Sequence, residues 1–180
     1  MISFSLDDIG SRSAGNGAVF LISAGLMNYL MAMDAFDLAI LDMHMPEMDG
    51  LEFQADPAEK RDYDAAMDVF RKGDFAAAQA SLQRFVQRYP QTGYMPSALF
   101  WLGNASYAIK DYKGSLAQFR QMLNLSSTHA RAPEAMLAIS NVQIELKDTK
   151  AARKTLEDLI KAYPQSDAAQ AARDRLPKLR

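Results

Sequence analysis

Three aspartates, Asp74, Asp111 and Asp148, stand 37 residues apart twice over, and the chain around each repeats at the same interval. At that offset Ala78, Ser115 and Ala152 align as small residues, and Leu82, Phe119 and Leu156 as large apolar ones. Phe85, Met122 and Leu159 align next, then Val86, Leu123 and Ile160. Tyr89-Pro90-Gln91 returns as Tyr163-Pro164-Gln165, with Ser126-Ser127-Thr128 as the degenerate middle copy. A repeat of this length is a supersecondary unit that cannot bury its apolar face alone, so the units must stack.

Each unit reads as two helices. Leu99, Leu102, Gly103, Ser106 and Tyr107 follow helical spacing up to the Lys110-Asp111 turn. Asp111 then caps a helix that carries Leu116, Phe119 and Leu123 on one face. Pro90 and Pro164 end second helices, because proline cannot continue one. Pro57, Pro96 and Pro133 fall where first turns begin, the place in a helix that tolerates proline. Small residues recur on the first helix as Ala66, Gly103 and Ser140, which lets it approach the second closely. Ser166 is placed to cap a last helix over residues 167–176 that closes the stack.

Leu102-Gly103, Tyr107, Asp111-Tyr112, a small residue at 115 and Phe119 together resemble the tetratricopeptide repeat. Its usual period is about 34 residues, and the extra length here falls in the Tyr-Pro-Gln connector. The expected fold is therefore all-α, with residues 57–180 as a tetratricopeptide-type superhelix of three 37-residue hairpins and a C-terminal capping helix. The stretches RYPQTGYMPSALFWLGNASYAIKDY and AYPQSDAAQAARDRL resemble the C-terminal domain of the Tol–Pal-associated YbgF/CpoB family. Lipoprotein-assembly and other envelope repeat proteins share the connector. The resemblance implies a periplasmic, non-enzymatic adaptor in cell division, with a TolA-like protein as partner and no cofactor. Members of that family ordinarily carry a signal peptide and a trimerising coiled coil; neither is recognisable here, and the oligomeric state is left open.

Stacked hairpins curve, and first helices line the concave side. The alignment puts Met67, Asn104 and Asn141 at one position, with Phe70, Tyr107 and Ile144 one turn on. An asparagine amide both donates and accepts, which suits a peptide backbone. Asparagine also has poor helix propensity and no cap to make at mid-helix. The expected partner-binding set is Asn104, Asn141, Met67, Tyr107, Trp101, Tyr63 and Arg71. For Phe70 and Phe100 a core position is the expectation, since aromatics at helical spacing are more often packed than displayed. Trp101, adjacent to Phe100, cannot share its face.

Residues 1–55 differ in composition, with eight acidic residues and only Arg12 basic, a charge of −7; residues 56–180 carry fourteen acidic and nineteen basic, or +5. Their acidic and basic residues interleave without a stripe, which argues against nucleic acid as a partner. The absence of cysteine removes disulfides and thiolate metal sites, and His44 and His129 match no metal-ligand spacing. The run AVFLISAGLMNYLMAM, residues 18–33, is short for a membrane span and follows Asp7 and Asp8 rather than a basic stretch. It reads as a buried segment.

The stretch FDLAILDMHMPEMDGLEF, residues 36–53, resembles the third strand and following loop of a response-regulator receiver. That resemblance would make Asp42 a phospho-acceptor, with Asp7 and Asp8 as the acidic pair that holds Mg²⁺. The spacing from Asp8 to Asp42 is short, and the later strands that complete phosphoryl chemistry have no counterpart. An inert, truncated receiver-like segment is the expectation. The alternatives are a phosphorelay protein with the repeats as output, or a cytoplasmic repeat scaffold.

Overall fold

The computed structural model describes residues 56–179. The receiver-like segment, with Asp42, lies outside the described residues. Seven α-helices follow one another: α1 Pro57–Arg71, α2 Phe75–Arg88, α3 Met95–Ala108, α4 Tyr112–Leu125, α5 Ala132–Glu145, α6 Thr149–Ala162 and α7 Asp167–Arg175. A short 3₁₀ turn, Leu176–Lys178, ends the array. No strand occurs among the described residues. The expected three hairpins and closing helix are all present.

The caps fall at the repeated polar residues. The carboxylates of Asp74, Asp111 and Asp148 each accept the backbone N–H three residues on, at 3.0 Å, at the starts of α2, α4 and α6. Ser166 Oγ does the same for Ala169 at 3.1 Å, opening α7. Each cap satisfies one of the N–H groups that a helix start leaves over. Pro57, Pro96 and Pro133 occupy the first turns of α1, α3 and α5.

The hairpin turns share one backbone device. Gly73, Lys110 and Lys147 stand at the aligned position with φ of 78°, 65° and 63°. This left-handed conformation suits glycine and strains an L-residue. Lys147 is exposed. Changing Lys147 to glycine, the residue of the first unit, should raise stability by about 0.5–1 kcal/mol. A higher denaturant midpoint at unchanged slope is the readout.

The longer connector is tied down by its own side chains. Tyr89 donates its hydroxyl to Asp62 at 2.8 Å, and Thr92 donates to Glu59 at 2.9 Å. Tyr163, the repeat partner of Tyr89, reaches the Ser127 carbonyl at 2.6 Å.

Packing runs in three steps along the array. Tyr63, Met67, Phe70, Leu82 and Phe85 of the first hairpin close over Ala98, Leu102 and Ala105 of α3. Leu99, Phe100, Phe119 and Met122 of the second close over Ala135, Ile139 and Val142 of α5. Leu137, Leu156 and Leu159 of the third close over Ala168 and Ala172 of α7. Each hairpin thus finishes its core on the next first helix, and α7 supplies that helix for the last one. Because α3 touches α5 and α5 touches α7 directly, the first helices lie on the inner side of the array.

The small residues act where the two helices of a hairpin meet. A Cβ on Gly103 would stand 2.9 Å from the Phe119 ring, too close for any carbon contact. Ser115 Oγ donates to the Gly103 carbonyl at 2.8 Å across the same approach. The aligned combinations are Ala66 with Leu82 and Ser140 with Leu156, so the widest side chain of the series faces the smallest partner.

Candidate partner-binding site

The seven residues predicted to bind a partner separate into three groups. Tyr63 and Met67 are core residues, 7% and 3% exposed. Tyr63 stacks on Tyr94 at 4.8 Å with planes 17° apart, and Phe85 lies 5.5 Å away. Burial pushes the Tyr63 phenol above its ordinary range, opposed by the positive fields of Arg131 and Arg71. Apolar surface at these positions is spent inside the hairpin, so neither side chain is offered to a ligand.

Asn141 is sealed as well. It is 5% exposed, and its amide oxygen accepts from the Arg175 guanidinium of α7. The closing helix packs against α5 and brings that arginine with it. The aligned Met67, Asn104 and Asn141 are therefore not equivalent in the folded chain. Asn104 alone of the three remains half open.

Asn104 Nδ2 donates to the Phe100 carbonyl four residues earlier, at 2.9 Å. That bond fixes the amide while its oxygen has no partner among the described residues. Trp101, one turn before it on α3, is half-buried and bridges two hairpins. Its ring meets Phe70 at 5.1 Å and Phe100 at 5.2 Å, both edge-on. Phe70 and Phe100 themselves are buried, as expected of core aromatics. Tyr107, one turn beyond Asn104, is half-buried and packs at 5.6 Å against Tyr112. Arg71 is exposed at the end of α1 and pairs with Asp68. Trp101, Asn104 and Tyr107 thus form one partly open ridge along the middle first helix, with an amide set between two aromatic rings.

One residue at this ridge was not among those predicted. Arg131, at the cap of α5, is 8% exposed. Its guanidinium carbon lies 5.0 Å from the Trp101 ring centroid and 5.2 Å from that of Phe100. The signal was present in the repeat. At the 37-residue offset Arg131 aligns with Tyr94, and Phe100 with Tyr63, so a cation–π stack replaces an aromatic pair. A charged residue in an aromatic register position was the feature to follow. Nearby, His129 Nε2 stands 3.4 Å from Ser97 Oγ, and its Nδ1 accepts the Arg131 backbone N–H at 3.1 Å.

No group of acidic or histidine side chains suited to hold a metal occurs among the described residues. Nor is any described helix long and apolar enough to cross a membrane.

The family described as YfiO, outer membrane lipoprotein, matches residues 55–180. The chain belongs to this family. The match begins within two residues of α1 and takes in every described helix. The likeness to the cell division coordinator is narrower. CpoB of Pseudomonas putida is 40% identical over 57 residues, 31% of this chain. The chain spans only 21% of the length of the curated relatives it matches.

Among solved structures, the tetratricopeptide domain of Arabidopsis OM64 superposes with a TM-score of 0.57 at 13% identity, over 67% of this chain and 95% of that one. The first such domain of Spaghetti (RPAP3), bound to the HSP90 peptide SRMEEVD, gives 0.57 at 15% identity, over 71% and 94%. The Yersinia enterocolitica type III secretion chaperone SycD, in complex with a peptide of the translocator YopD, gives 0.58 at 11% identity, over 71% and 92%. The architecture is that of a tetratricopeptide-repeat domain.

Proposed function

We propose that this chain is a non-enzymatic adaptor of the bacterial envelope that holds an extended segment of a partner protein along the inner face of its repeats. The observation that carries the reading is the ridge of Trp101, Asn104 and Tyr107. An amide with unused hydrogen-bonding capacity sits between rings that are only half covered, on the inner side of a curved array. Such a surface offers backbone hydrogen bonds and apolar pockets together, the combination that peptide grooves use. Membership of a family described as outer membrane lipoprotein supports an envelope setting. The peptide complexes of Spaghetti and SycD support a peptide-like ligand for the fold.

The local likeness to CpoB favours the cell-division machinery, and a TolA-like periplasmic protein, as the partner. Binding here involves no chemistry. The repeats act by bringing a partner to the envelope and holding it there.

Titration of a labelled TolA periplasmic segment against the full chain tests this. Trp101→Ala combined with Asn104→Ala removes one aromatic anchor and one amide. The expected loss is roughly 2–4 kcal/mol of binding energy, with the helical signal unchanged. Equal affinity in the double variant would remove the ridge from the interface. Saturable binding to the wild type is required for the partner assignment itself.

A further inference from the structure

We propose that Arg131 anchors a carboxylate of the bound segment, so that the inner face selects acidic peptides. This rests on the reading of that face as the binding surface. Arg131 is 8% exposed, and its guanidinium carbon lies 5.2 Å from the Phe100 ring centroid and 5.0 Å from that of Trp101. Buried cations are ordinarily paired with a carboxylate. No ion pair of Arg131 occurs among the described residues.

Packing alone does not call for a charge here. The aligned positions are filled by Tyr94, stacked on Tyr63, and by Ala168, buried beside Leu137. Both neighbouring units solve the same packing problem with an uncharged side chain. Arginine at this place adds a fork of N–H donors with no side-chain hydrogen bond among the described residues.

A guanidinium enclosed beside two aromatic rings has already given up much of its rotamer freedom, so it is preorganised for a bidentate oxyanion. Trp101 links the fork to Asn104, one turn further along α3, which places a charged anchor and a backbone-reading amide on one track. The net charge of +5 over residues 56–180 adds attraction of the right sign.

The test uses the full chain and a display library of random heptapeptides. Selections are run on the wild type and on Arg131→Tyr, which copies Tyr94 and so retains the stack. A selected peptide is then titrated beside its Glu→Gln, Asp→Asn copy, following the fluorescence of Trp101, the single tryptophan. The wild type should bind the acidic form roughly tenfold to a hundredfold more tightly. Arg131→Tyr should lose that preference and keep its thermal midpoint. If tyrosine compromises folding, Arg131→Met keeps the stem without the charge.

A preference that survives in the charge-free variant would overturn the proposal. So would wild-type selections with no enrichment in acidic residues, which would leave the groove standing with a different anchor. Selections that return no peptide from the wild type would bring down the groove reading, and this proposal with it.

Discussion

Replacing Phe119 with alanine should lower stability by about 3–5 kcal/mol. The ring is fully buried at the centre of the middle hairpin, packed at 5.8 Å against Phe100 and closed over by α5. The deeper prediction concerns its partner. Gly103→Ala improves helix propensity by about 1 kcal/mol, yet its Cβ would intrude to 2.9 Å from a ring that has no room to retreat. Overpacking of that kind costs about 1–3 kcal/mol, so the net change should be destabilising. Adding Phe119→Leu to Gly103→Ala recreates the pairing of the first unit, Ala66 with Leu82. The double variant should therefore be more stable than the sum of the two single changes, with a coupling of about 1–2 kcal/mol. Denaturant titration of the four proteins gives the cycle, and strict additivity would show that the glycine is not there for the ring.

Removing residues 167–180 should be the other large perturbation. Leu137, Leu156 and Leu159 are 1%, 0% and 0% exposed, and they share their cluster with Ala168 and Ala172 of α7. Uncovering the equivalent of two leucine side chains costs roughly 3–6 kcal/mol. The exposed end would also be a continuous apolar surface of the kind that drives association. Ser166→Ala, which removes only the cap, should cost about 1 kcal/mol. A shortened chain that unfolds at the same urea concentration as the full chain would mean that the third hairpin closes its own core.

The second result of that deletion concerns the site. Arg175 leaves with α7, so Asn141 loses the guanidinium that occupies its amide oxygen. The inner face of the third unit would then resemble that of the second.

The architecture was readable because it is local and periodic. Asp74, Asp111 and Asp148 cap in the same way, and prolines mark three helix starts, so seven helices could be placed without long-range information. The site was less readable because exposure depends on what packs above a residue. Repeat register correctly put Met67, Asn104 and Asn141 at one helical position. It could not foresee that the thioether would turn into the first core, or that the terminal helix would bring Arg175 to Asn141. Trp101 and Phe100 were separable because neighbours on a helix cannot share a face. Arg131 is harder to read because it lies in the connector before α5, outside the helical register, and only its alignment with Tyr94 marks it.

In the proposed function the inner ridge, and not the outer helices, meets the partner. A photoreactive amino acid at position 104 on α3 should cross-link a partner protein in intact envelopes. The same group at position 120, exposed on α4, should not. Cross-links to one partner from position 120, with position 104 silent, would place the partner on the outer helices instead.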